Sequence, residues 1–288
     1  MWYVICSVIC SVSVGILLKI AKRYQLNIFQ IITWNYGVAL LFTYFIFKPQ
    51  FNENSTSLPL ELLISLSILL PIVFLFQDTS IKHTGIIKTD IAQRLSLFIP
   101  IIASYFIFHE TFNSYKITGL IIGFSAIFFT LFKKSDIKNS ILVGFYPLLV
   151  LFGFGSIDTL FKKVATSNTI PFTTALFFIF VGALLISLLI LLYKILFHEE
   201  KIRIKNSFWG IGLGILNFGN ILFYLKAHKA LSENPSTVFA GMNMGVIVLG
   251  SIAGILLFKE KMTKWNYFGI VLAIISIICI TLSQLQQI

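Results

Sequence analysis

Long apolar runs, separated by charge clusters, prolines and Asn/Ser-rich stretches, dominate the chain. They fall near 2–20, 27–47, 58–77, 86–108 and 114–132, then 141–163, 171–197, 207–226, 235–258 and 265–284. A bilayer core about 30 Å thick takes roughly 20 apolar residues per helix, so each run is long enough to cross once. Backbone polar groups in lipid must be satisfied internally, and barrel strands would alternate over about ten residues instead. The pattern predicts an all-α integral membrane protein of ten transmembrane helices with short linkers and no room for a sizeable soluble domain.

The runs repeat. FHETFNSYKITGLIIG, starting at Phe108, aligns with FKEKMTKWNYFGIVLA, starting at Phe258, at a constant offset of 150. Phe108, Glu110, Tyr115 and Gly119 fall opposite Phe258, Glu260, Trp265 and Gly269. In each copy a helix ends at an acidic residue, a capping residue follows (Asn113, Thr263), and the next helix opens with an interfacial aromatic. GVALL from Gly37 and VGALL from Val181 match in the second helix of each half. Two five-helix halves follow: residues 1–134, a linker at 135–140, and residues 141–288. Five is odd, so the halves are expected to be inverted repeats.

Composition agrees with a lipid solvent, since 57% of residues are hydrophobic and only 11% charged, against about 25% charged in a soluble domain. The net charge of +11 is spread singly and in pairs at the ends of apolar runs, which is the membrane pattern and not a nucleic-acid face. Cys6, Cys10 and Cys279 lie inside apolar runs without a CxxC motif, so neither a disulfide framework nor a metal site is expected. The first run lacks a basic n-region and an A-x-A-type cleavage site and reads as a retained helix.

With these features the sequence resembles the drug/metabolite transporter superfamily, in its EamA-type ten-helix form. The resemblance rests on Pro100 in LFIPIIASYFIFHE, the acids Glu110 and Glu260 closing the fourth and ninth helices, and Gly119 and Gly269 in the helices that follow. It implies a 5+5 inverted bundle around a cavity lined by helices 1, 3, 4, 6, 8 and 9, and cargo such as amino acids, metabolites, nucleotide sugars or drugs. Where the family often has an Arg near the start of the second helix, this chain has Trp34 and Asn35.

Ionisable groups at membrane depth are functional candidates, because inserting one costs roughly 2.5–3.5 kcal/mol. Arg94 lies two turns into the fourth helix beside Gln93, with Asp90 at i−4. It can meet an anionic substrate group, or form an internal clasp with Asp90. In the sixth helix Asp158 and Lys162 are again i, i+4. Lys19, Lys162 and Lys163 lie near helix ends, where snorkelling competes with a gating role. Asp158 is deeper and could take up and release a proton or hold a neighbouring helix. Asn217, Asn220 and Tyr224 share one face of the eighth helix, and Asn243 lies opposite Gln93 at the repeat offset. The expected substrate-binding set is thus Gln93, Arg94, Asn217, Asn220, Tyr224, Asn243, Trp34 and Asn35; the coupling or gating set is Asp90, Asp158, Lys162 and Lys19. Gly241/Gly245 and Gly250/Gly254 read as helix-packing pairs. Gln77 and Asp78 read as the end of the third helix, and Pro71, Pro100 and Pro147 as kinks.

His83, His109, His198 and His228 fall at or beyond helix ends, with no HExxH motif and no acidic cluster, so no enzyme, catalytic residue or cofactor is expected. The expected function is that of a secondary, non-ATP exporter of a small metabolite such as an amino acid or a related amphipathic compound, working by alternating access as a monomer. The alternatives are a flippase for a lipid-linked substrate or an intramembrane enzyme. Its partners would be a small-molecule substrate and the lipid bilayer, without nucleic acid, and its place a bacterial cytoplasmic membrane. Fourteen Lys and Arg fall on the side of linkers 1–2, 3–4, 5–6, 7–8 and 9–10, and six on the other. The positive-inside rule therefore predicts both termini outside, whereas the family is usually drawn with both in the cytoplasm.

Overall fold

The computed structural model describes residues 1–21, 26–49, 59–84, 86–131, 141–167, 169–198, 200–259 and 262–285. The first half contains α1 (Trp2–Ala21), α2 (Ile28–Phe47), α3 (Leu60–Thr84), α4 (Ile86–Leu95), α5 (Phe98–Phe106) and α6 (Ser114–Leu131). The second contains α7 (Ile141–Thr166), α8 (Phe172–His198), α9 (Ile204–Ala230), α10 (Pro235–Phe258) and α11 (Lys264–Leu285). Among the described residues α2, α3 and α8 to α11 are long and apolar enough to cross a membrane, and α1 and α6 carry shorter apolar stretches.

The fourth predicted span is two helices, which corrects the single run at 86–108. Pro100 has no N–H for the Ser96 carbonyl, and its ring crowds that carbonyl. The chain breaks there: Ser96 Oγ donates to the Gln93 carbonyl at 2.6 Å, and the Ile99 N–H takes the Ser96 carbonyl at 3.1 Å. Pro71 and Pro147 lie inside α3 and α7 without dividing them. The third helix also runs past its expected end. Gln77 and Asp78 are internal to α3, where Asp78 pairs with Lys82 at 2.6 Å.

The pairings recur with the halves exchanged. Helix α1 lies on α9 and α10, and its counterpart α7 lies on α3 and on the α4/α5 span; α2 lies on α9, and α8 on α3. Helices α2 and α8 meet each other, with the Tyr36 and Phe180 rings 6.4 Å apart, and α6 pairs with α11. Linker bonds establish the inversion. Asn27, before α2, bonds Glu200 and Asn206 around the start of α9, and Asn266 of α11 reaches the Phe129 carbonyl of α6. These linkers share one face. The α5–α6 turn instead meets the α9–α10 linker through Glu110 and Ser236, on the opposite face.

Gly119 explains how closely α6 and α11 approach. A Cβ there would lie 2.7 Å from Ile280 Cγ1, and Ser276 Oγ donates to the Gly119 carbonyl at 2.6 Å. Both predicted caps form: Asn113 Oδ1 accepts the Lys116 amide at 2.8 Å, and Thr263 and Asn266 bond reciprocally. Large apolar side chains such as Leu196, Phe208 and Leu256, each 72% exposed, cover the outside. A surface so apolar is stable against lipid, not water.

Candidate functional site

Helix α9 carries a polar stripe in which Asn217 and Asn220 join the halves. Asn217, Asn220, Tyr224 and His228 recur at i, i+3, i+7 and i+11 on one face, and each meets a different surrounding. Asn217 Nδ2 donates to Asn35 Oδ1 of α2 at 3.2 Å. Ser7 of α1 donates to Asn220 Oδ1 at 2.7 Å. The Tyr224 hydroxyl donates to the Asp158 carboxylate of α7. His228 is sandwiched edgewise between Tyr224 and Phe239, both centroids 4.6 Å away. Amide groups in an apolar interior need partners, so this face holds α9 against α1, α2 and α7 together. Gly214 permits the approach: a Cβ there would lie 2.8 Å from the Asn35 carbonyl and from Val38 Cβ.

Asp158 is half-buried inside α7. The predicted Asp158–Lys162 pairing does not form; each side chain meets a different tertiary partner instead. Lys162 turns away and donates to the Ser232 carbonyl, with its ammonium 5.7 Å from the Phe108 ring. At 2% exposure it does not snorkel, which corrects that expectation; neighbouring Lys163 is exposed.

A second buried polar cluster closes the face where α5 turns into α6 and α9 into α10. Lys116 donates to Glu110 at 2.7 Å, with side-chain exposures of 0% and 1%. It also donates to Asn234 Oδ1 at 2.7 Å. Glu110 accepts from Ser236 twice, from the amide at 2.9 Å and the hydroxyl at 2.6 Å. Its carboxylate thereby complements the N-terminus of α10. The ion pair belongs to one half, and the contacts to Asn234 and Ser236 to the other, so the cluster latches the halves together.

The remaining candidates scatter. Gln93 accepts from Gln77 of α3 at 3.0 Å, and Arg94 is half-buried in the last turn of α4. Asn243 donates to the Phe239 carbonyl of its own helix at 3.0 Å. Trp34 is 44% exposed on the outer side of α2, away from its neighbour Asn35. The side chains of Asp90 and Lys19, and Glu260 altogether, lie outside the described residues. Gly241 and Gly245 face Val4 and Val8 of α1 as packing contacts, whereas Gly250 meets nothing within 4 Å.

A family model described as the EamA-like transporter family matches residues 1–132 and 141–282. The chain belongs to the EamA-like transporter family. It is therefore an integral membrane transporter of the drug/metabolite type, built from two repeats. An uncharacterized protein of Haemophilus influenzae is 40% identical to this transporter over 287 residues, covering 95% of each chain. A solved crystal structure superposes on 98% of this chain and 96% of its own, with a TM-score of 0.74 at 12% identity. At that identity the likeness speaks to the fold alone.

Sequence reasoning missed Lys116, Asn234, Ser236 and His228. His228 had a usable signal, because it continues the 217–220–224 spacing by one more turn. Glu110 pointed at the latch through its repeat offset. The latch partners across the halves, Asn234 for Lys116 and Ser236 for Glu110, are 118 and 126 positions away in sequence and carried no local mark.

Proposed function

We propose that this transporter is a secondary, ATP-independent exporter of a small polar or amphipathic metabolite such as an amino acid, acting by alternating access in a bacterial cytoplasmic membrane. The observation that carries this reading is the α9 stripe. Asn217 and Asn220 bond across the boundary between the halves, to Asn35 and Ser7, so rocking one half against the other opens or closes those contacts. Substrate polar atoms can take the place of the same partners. On this reading Asn217, Asn220, Asn35 and Tyr224 bind substrate, Gln93, Arg94 and Asn243 extend the wall, and Asp158 is the coupling group, with Asp90 as the second acid. Lys162 and the Glu110 latch act as the gate on one face. Trp34 takes no part in the site. The Lys/Arg distribution supports the face of linkers 1–2 and 7–8 as cytoplasmic.

The test begins with purified protein and a metabolite panel, since only ligands that bind the folded state raise its melting temperature. Compounds that do so are then followed in proteoliposomes. Transport is expected to fail in Asn217→Ala and Arg94→Ala while their melting temperatures stay close to that of the parent. Unchanged transport in both variants would remove the proposed site, and transport unaffected by Asp158→Asn with or without a pH gradient would remove the coupling role.

A further inference from the structure

The geometry points to a binding site for an anionic phospholipid on the outside of the bundle, where α2 and the start of α9 meet below the α8–α9 linker. A groove of about 270 Å³ opens there, lined by Trp34, Ile204, Ser207, Phe208 and Ile211. From Ile204 to Ile211 it runs down the helix for about 10 Å, the depth of the upper part of an acyl chain, and Trp34 is the residue type that favours the interface.

What selects the headgroup is the linker above the groove. Lys201 and Arg203 are exposed, yet their backbone is fixed from below by Gln30, itself 2% exposed. Gln30 Nε2 donates to the Lys201 carbonyl at 2.8 Å. Its Oε1 accepts from the Arg203 amide at 3.0 Å and from Asn206 Nδ2 at 2.7 Å. Glu200, one of the two acids that precede Lys201, is engaged by Asn27 Nδ2 at 2.7 Å. Two exposed cations thus stand on a held backbone within three residues of Ile204, where the lining of the apolar slot begins. Basic residues at the membrane surface attract anionic lipids, and a zwitterionic lipid of the same chains lacks the net charge to use them. Trp34 acquires a role here that does not depend on the substrate site.

The test uses the full-length chain, delipidated in detergent, with dioleoylphosphatidylglycerol or dioleoylphosphatidylcholine, read by thermal unfolding and native mass spectrometry. The phosphatidylglycerol is expected to raise the melting temperature by several degrees more than the phosphatidylcholine and to remain bound as a discrete adduct on the monomer. In Lys201→Gln/Arg203→Gln, two changes at exposed positions, that excess disappears. In Trp34→Ala the shift shrinks for both lipids. Equal shifts for the two lipids in the parent protein, an excess that persists in the double variant, or a lipid-free dimer formed through this face would each overturn the proposal.

Discussion

His109 and Lys259 lie 150 positions apart, and both adopt a left-handed backbone with φ of 52°, each immediately before the acid that marks its repeat. The duplication is therefore written in the backbone as well as in the side chains. In the first half the left-handed turn reverses the chain after α5 and lets the Glu110 amide reach the Ser104 carbonyl at 2.9 Å, which aims the carboxylate at Ser236. A non-glycine residue pays roughly 1–2 kcal/mol for this conformation. His109→Gly is expected to raise the melting temperature slightly, and the β-branched His109→Val to lower it by several degrees. Thermal unfolding of the two variants in one detergent checks the order.

The Glu110–Lys116 pair is buried, so removing one partner leaves an uncompensated charge. Lys116→Met is expected to cost about 3–5 kcal/mol, and Lys116→Met/Glu110→Gln to recover part of that loss. Denaturation midpoints of the two variants against the parent measure it. If the double variant were no better than the single one, the pair would not be the source of the cost.

His228 is fully buried, and neither ring nitrogen has a protein partner. Leaving such a group unsatisfied costs about 1–3 kcal/mol, so His228→Phe, which keeps a ring between Tyr224 and Phe239, is expected to be at least as stable as the parent. Transport is expected to fall in the same variant. Stability gained where activity is lost is the usual sign of a group retained for function. Parallel melting and proteoliposome assays separate this from a simple packing role, in which both would stay unchanged.

The Asn35–Asn217 bond crosses the halves. A double-mutant cycle with Asn35→Ala and Asn217→Ala should give a coupling of about 0.6 kcal/mol, the average found between helices in membranes. A value indistinguishable from zero would mean that the two amides merely coexist.

Much of the fold was legible in the chain because a bilayer dictates segment length: α10 spans Pro235–Phe258, the bounds of its apolar run. Helix α3 ran longer than expected because its last two turns, which hold Asp78, Lys82 and His83, are polar helix beyond the apolar run. The site was less legible. Trp34 and Asn35 are adjacent in sequence but about 100° apart around a helix, so one faces lipid and the other the protein. Asp158 and Lys162 have the spacing of a helical pair, yet each is turned to a partner more than 60 positions away, Tyr224 and the Ser232 carbonyl. Spacing along a helix reveals which groups share a face, not what stands opposite.

Alternating access requires that the α9 stripe be reached in turn from the two faces of the membrane. The direct measurement places a single cysteine at Asn220 in a protein whose Cys6, Cys10 and Cys279 are replaced by serine, and labels it with a membrane-impermeant thiol reagent from each side of sealed vesicles. Labelling is expected from both sides, slower from the face closed by Glu110, Lys116 and Ser236. Adding Glu110→Gln should speed labelling from that face and slow it from the other. Labelling from one face only, unaltered by Glu110→Gln, would contradict alternating access at this site.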